Sequence, residues 1–212
     1  MKGSAIYIAI EGLDGTGKST LFNNLCDKLD AANISYSTLC PTRMTRPRSL
    51  IERMYNFNNW HKRILWFRRL IYAYRSYCAV KSLNTDVDII LGDRSIAGTY
   101  AKSWKVLFGS RRLTVAFFNL AEPFIAAPDY ILLLQAPMQV IHTRLQGRAY
   151  IDADESEASL LKMKDAYAEI SGSYTIHRLR NSQWIPVDAD KEQDVLTDEV
   201  LAMIHKWRNT DS

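Results

Sequence analysis

Gly12-Leu13-Asp14-Gly15-Thr16-Gly17-Lys18-Ser19-Thr20 satisfies the pattern G-x-x-x-x-G-K-[ST]. An apolar run of strand length, Ser4–Ile10, precedes it. After it, Leu21, Leu25, Cys26 and Leu29 recur at helical spacing. Strand, glycine-rich turn and helix is the context in which this pattern cradles phosphate. The glycines let backbone N–H groups fold inward, and the helix N-terminus adds partial positive charge. Lys18 then faces the β- and γ-phosphates of a nucleoside triphosphate, and the Ser19 hydroxyl holds Mg²⁺. Gly12, Leu13, Asp14, Gly15, Thr16, Gly17, Lys18, Ser19 and Thr20 are therefore the candidate cofactor-binding residues. A chance turn rich in Gly and Ser would match the letters but would not need the flanks.

Working outward, strand and helix patterns alternate along the chain, which implies α/β architecture with a parallel sheet and helices on both faces. Strands are expected at Ser4–Ile10, Ser35–Leu39, Val87–Leu91, Tyr130–Leu134 and Trp184–Val187. Helices are expected at Lys18–Ala32, Arg48–Phe57, Trp60–Leu83, Ile96–Phe108, Thr114–Ala126, Met138–Gly147, Glu157–Leu179 and Glu192–Arg208. The 212 residues fit one domain, 1–212, and no repeat or linker interrupts it. With 47% apolar and 24% charged residues the composition is that of a globular chain, not a disordered one. A net charge of +4 suits anionic small molecules and is too weak and scattered to argue for nucleic acid. Cys26, Cys40 and Cys78 form no C-x-x-C or Cys/His cluster, the pattern of reduced thiols in a cytoplasmic protein. The N-terminal apolar run is broken by Glu11 and leads into the glycine-rich turn, so it reads neither as a signal peptide nor as a membrane span.

In such sheets ligands sit beyond the carboxyl ends of the strands. After the third expected strand come Asp93 and Arg94. An acid there can orient Mg²⁺ and its water, and Arg94 can pair with a phosphate; a surface Asp–Arg pair at a loop is the plainer alternative. After the second strand, Arg43, Arg46 and Arg48 fall within six residues whose backbone Pro41 and Pro47 restrict, either as a clamp for an acceptor phosphate or as a solvated basic loop. The stretch Trp60–Lys81 is an amphipathic helix that packs one face and wets the other. It could also offer Tyr72 and Arg75 to a nucleobase, or bind a membrane surface. Arg144 and Arg148 stand at the start of a short flap, about residues 147–157, and could close over a transferring phosphoryl group. The alternative is a basic helix end favourable to its dipole.

Together these residues resemble the thymidylate kinase family. Glu11-Gly12-Leu13-Asp14-Gly15-Thr16-Gly17-Lys18-Ser19-Thr20 is similar to its E-G-x-D-G-x-G-K-S-T, and Asp14 is the discriminating residue. Asp93-Arg94 resembles its D-R-[YH] signature, followed by Thr99 and Ala101. Pro128-Asp129, Pro137 and Arg144 resemble its P-D…P…R run, and Val187-Asp188-Ala189 its terminal I-D-A. The resemblance implies a P-loop kinase three-layer fold with a five-stranded parallel sheet flanked by helices. It implies transfer of the γ-phosphoryl of ATP, with Mg²⁺, onto a nucleoside monophosphate, dTMP in that family. Asp14 would contact the acceptor's sugar, Arg94 its phosphate and Arg75 its base, while Thr16 and Lys18 meet the donor phosphates. On this reading Lys18, Asp14, Asp93, Arg94, Arg144 and Arg148 are catalytic. Arg43, Tyr72, Arg75, Arg94 and Thr99 hold the acceptor, and Ser19 and Asp93 hold the metal. A homodimer is implied as well.

The chain departs from the family pattern at Cys40 before Pro41, at Ile71, Ser95, Lys102 and Gln135, all on or beside the acceptor side. Asp93-Arg94-Ser95 is also similar to the E-R-S of deoxynucleoside kinases. Those use a glutamate just before the proline as general base, where this chain has Cys40. A nucleotide-binding relative without catalysis and a kinase of a non-nucleotide acceptor stay open. The absence of N-K-x-D and D-x-x-G motifs argues against a GTPase switch.

Overall fold

A computed structural model describes residues 5–40, 74, 77–81, 83–104, 110–121, 126–147, 156–172 and 176–210. The described strands are β1 (Ile6–Gly12), β2 (Tyr36–Leu39), β3 (Ile89–Asp93), β4 (Tyr130–Gln135) and β5 (Gln183–Asp188). The longer helices are α1 (Lys18–Ala31), α2 (Ile96–Ser103), α3 (Arg111–Ala121), α4 (Met138–Gln146), α5 (Glu157–Ser171) and α6 (Gln193–Thr210). The strands form one five-stranded sheet in the order β2-β3-β1-β4-β5, with every pairing parallel.

Side-chain alternation along β1 divides the core. Ile6, Ile8 and Ile10 face one side, where they join Leu21, Leu25 and Leu29 of α1 and Leu196, Val200 and Ile204 of α6. On the opposite face lie Tyr7, Ala9 and Glu11. There Ile131 and Leu133 of β4 pack with Ile96 and Tyr100 of α2, Phe118 of α3 and Tyr167 and Ile170 of α5. Burial of both faces explains why the central strands read as near-continuous apolar runs. The Pro128-Asp129 pair has a structural use: Asp129 Oδ2 accepts from Tyr7 N at 2.8 Å, and Asp129 N donates to Tyr7 O at 2.8 Å, fixing the start of β4 beside β1.

All five expected strands are present. β1 runs past Ile10 through Glu11 and Gly12, because β4 pairs with it there (Glu11 with Leu133, Gly12 with Leu134). The helix expected at Ile96–Phe108 ends at Ser103: Trp104 turns extended (ψ 128°), and its indole donates to Glu169 Oε2 at 2.8 Å. The helix expected at Thr114–Ala126 starts earlier, at Arg111, and its described part ends at Ala121. The helix expected at Glu157–Leu179 stops at Ser171 before Gly172, and a 3₁₀ turn at His177–Leu179 follows. The helix expected at Arg48–Phe57 and most of Trp60–Leu83 lie outside the described residues; Tyr74 and residues 77–81 are helical. Among the described residues no helix is long and apolar enough to cross a membrane.

Candidate active site

The register of the three central strands builds the site. Ile10 of β1 lies opposite Asp93 of β3, so the turn after β1 and the turn after β3 emerge side by side. The first turn is the phosphate loop. Gly12 has φ 142°, and a Cβ there would lie 2.6 Å from the Leu134 carbonyl oxygen, so no side chain fits. Gly17 has φ 88° and stands at the N-cap of α1 with no side-chain cap, leaving the first amides of the helix available to an anion. Ser19 and Thr20 are exposed on that first turn. These are features that fit a bound polyphosphate.

Leu13 gathers the loop around its own carbonyl. Thr16 Oγ1 donates to Leu13 O at 2.8 Å, Thr16 N at 3.3 Å and Lys18 Nζ at 2.5 Å. The Thr16 side chain is fully buried and braces the loop from beneath through its hydrogen bond to Leu13 O. Lys18 Nζ also lies 3.5 Å from Asp14 Oδ1. Burial draws the Lys18 ammonium down to about 8, with Arg94 acting in the same direction and Asp14 and Glu11 opposing it.

Arg94 is the second cation of the site. Its Nη2 donates to Asp14 Oδ1. Burial raises the Asp14 carboxyl, but Arg94, Lys18 and Lys102 outweigh it and hold the group below its ordinary value. The Arg94 backbone sits at φ 70°, a left-handed conformation that costs about 1–2 kcal/mol for a residue with a side chain. Arg94 Nη1 is buried and has no hydrogen-bond partner among the described residues. A guanidinium with one nitrogen held by Asp14 and another unmatched is a receptor for an oxyanion.

Asp93 is buried beside it, and Cys40 Sγ lies 3.9 Å from Asp93 Oδ2, so the residue just after β2 reaches the same place. Thr99, on the first turns of α2, bonds back to Ser95 O at 3.4 Å. Arg144, in the last turn of α4, donates through Nη1 to Ala189 O at 2.9 Å and so ties α4 to the turn after β5. Arg43, Tyr72, Arg75 and Arg148 lie outside the described residues, as does most of the flap.

In the sequence Glu11 opens the E-G-x-D-G motif and breaks an apolar run, but no role is assigned to it there. Glu11 is fully buried, and its carboxylate accepts from Ser95 N, Ser95 Oγ, Gly98 N and Tyr167 Oη at 2.7–2.9 Å. The signal was present: a lone charge inside a buried strand needs dedicated partners. Gln193 was also missed. Its amide nitrogen lies 3.0 Å from where a Gly17 Cβ would be, at the junction of α6 and the phosphate loop.

Comparison with known proteins agrees with this geometry. The thymidylate kinase family model matches residues 10–200. A probable thymidylate kinase of Saccharolobus solfataricus is 25% identical over 201 residues, covering 94% of this chain and 96% of that protein. The thymidylate kinase of Brachyspira hyodysenteriae is 26% identical over 210 residues, covering 96% and 94%. Among solved structures, a deoxyadenosine kinase from M. mycoides superposes with a TM-score of 0.63 at 16% identity, covering 95% of this chain and all of that one; it shares the fold. The chain belongs to the thymidylate kinase family of nucleoside monophosphate kinases.

Proposed function

We propose that this protein transfers the γ-phosphoryl group of ATP to dTMP, giving dTDP and ADP. The observation that carries the reading is Arg94: a half-buried guanidinium beside the phosphate loop, anchored to Asp14 on one nitrogen and with another nitrogen buried and unmatched among the described residues. A monophosphate on Arg94 would face the γ-phosphate cradled by the loop. Catalysis of this kind is positioning and charge neutralisation. Lys18 would neutralise the donor phosphates, and the free amides at the start of α1 would hold their oxygens. Ser19 and Asp93 would hold Mg²⁺, which would help neutralise the donor's phosphate charge. Asp14 keeps both cations in place and meets the acceptor's sugar. An acceptor that is already a phosphate needs no strong base, which suits Cys40 beside Asp93 where a nucleoside kinase would need a carboxylate. Arg43, Tyr72, Arg75 and Thr99 would complete the acceptor pocket, and Arg144 and Arg148 would serve the flap side.

We also infer a homodimer. On α3, Leu113 and Leu120 are 58% and 80% exposed, two turns apart on one stripe, an arrangement suited to a second copy of the same helix.

The test is a comparison of kcat/KM over dTMP, dUMP, UMP, CMP, dCMP, AMP, GMP and the unphosphorylated nucleosides, with ATP and Mg²⁺. The proposal expects dTMP to lead. A nucleoside that outruns every monophosphate would move the protein to the deoxynucleoside kinase activity.

A further inference from the structure

We propose that Glu11 is a positioning residue: its buried carboxylate sets the backbone of Arg94 and thereby the grip on the acceptor phosphate. The inference rests on the role given to Arg94 above. Two successive amides clamp the left-handed residue. Arg94 N donates to Ile10 O at 3.2 Å, and Ser95 N donates to Glu11 Oε1 at 2.7 Å. The donors therefore end on neighbouring residues of β1, so the peptide on either side of Arg94 is fixed to one strand. Glu11 Oε1 also receives Ser95 Oγ at 2.8 Å and Gly98 N at 2.9 Å, which seats the first turn of α2. Ser95 Oγ in turn caps that helix by accepting from Ala97 N at 3.1 Å. Glu11 Oε2 receives the Tyr167 hydroxyl of α5 at 2.8 Å, which holds the carboxylate from the far side.

The fit is close. A Cβ at Gly98 would lie 2.6 Å from Glu11 Oε2, so α2 approaches the carboxylate only because residue 98 is glycine. Left-handed geometry at Arg94 is unfavourable on its own and persists only where neighbours over-determine it. Glu11 supplies that determination with a charged acceptor, whose hydrogen bonds are about twice as strong as those of a neutral one.

Glu11→Gln tests this. The amide oxygen can keep the three donors on the Ser95–Gly98 side, and the amide nitrogen can donate to the Tyr167 oxygen, so the variant should fold. It should raise the KM for dTMP by about tenfold and leave the KM for ATP within about twofold, because the charge-assisted clamp is weakened only on the acceptor side. The decisive comparison is the double-mutant cycle with Arg94→Ala. If Glu11 acts through Arg94, Glu11→Gln should change dTMP kinetics by less than about twofold once Arg94 is gone. An equal loss in both backgrounds overturns the proposal, as does an unchanged KM for dTMP in Glu11→Gln alone. A general loss of stability with both KM values unchanged shows a purely structural residue and also overturns it. If Arg94→Ala itself leaves dTMP kinetics intact, the failure lies in the acceptor-site reading, and the proposal falls with it. Should Glu11→Gln not fold, Tyr167→Phe takes its place. Loss of that distal donor should raise the dTMP KM about threefold with Arg94 present and not without it. No change in either background overturns the proposal.

Discussion

At the scale of single residues, the site is two cations balanced on Asp14. Lys18 carries the clearest pH signature. In the folded protein it titrates near 8, below its ordinary 10.5, because burial and Arg94 disfavour its charge. Between those values the unfolded chain binds more protons than the folded one. The Lys18 contribution to stability therefore rises with pH across that window, and its cost is present in full below about 8. Function runs the opposite way, since only the ammonium neutralises phosphate. The expected profile of kcat/KM for ATP falls as pH rises through about 8. Asp14→Asn removes a carboxylate that supports the charge and should move that limb to lower pH. A profile flat to pH 9.5 would contradict the burial of Lys18. Arg94→Ala should raise the KM for dTMP by about a hundredfold and leave ATP binding nearly unchanged, as removal of a charge-assisted phosphate contact requires. Lys18, Asp14 and Arg94 were legible in the sequence because motif spacing fixes them relative to a strand end. Glu11 stands in the same motif, but its role was not legible, because the donors that satisfy it come from the turn after β3 and from α5, the latter 156 residues away. Nothing local in the sequence joins them.

At the scale of elements, periodicity carried most of the information. The strands were readable as apolar runs and the helices as amphipathic ones, and the errors fell at helix ends. Trp104 looked like a continuing apolar position, but its indole finds Glu169 only if the chain leaves the helix. Gly172 ends α5 where the apolar spacing itself continued to Leu179. Gly98 offers a test of packing at this scale. Glycine inside a helix is ordinarily about 0.5–1 kcal/mol less stable than alanine. Here the added methyl meets the Glu11 carboxylate at 2.6 Å, so Gly98→Ala should destabilise, by about 1–3 kcal/mol, and lower the urea midpoint. A raised midpoint would show that α2 is free to move away from β1. On the other face, Leu25 is fully buried between α1, the sheet and α6. Leu25→Ala should lower stability by about 2–5 kcal/mol while sparing the KM values, since the helix packs there far from its phosphate-facing end.

For the whole molecule, the order β2-β3-β1-β4-β5 gathers the phosphate loop, Asp93-Arg94 and Cys40 at the carboxyl ends of three adjacent strands. Ala189, held by Arg144, follows the far edge strand. That topology explains how much of the site the motifs could locate: each motif follows a strand, and parallel strands deliver their ends to one side. It also explains what stayed hidden. Contacts such as Tyr167 with Glu11 and Gln193 with Gly17 depend on how helices from the second half of the chain lie across the sheet. At this scale Leu120→Glu should convert a sedimenting dimer to a monomer with its fold intact, because Leu120 is exposed. A sedimentation coefficient identical to that of the parent would exclude α3 as the interface. Phosphoryl transfer to dTMP is read by incubating the protein with Mg²⁺, dTMP and ATP labelled on its γ-phosphate, then separating the products. Label should appear in dTDP, one for each ADP formed, and fall by about a thousandfold or more in Lys18→Ala. Label released only as inorganic phosphate, or transfer that survives in Lys18→Ala, would contradict it.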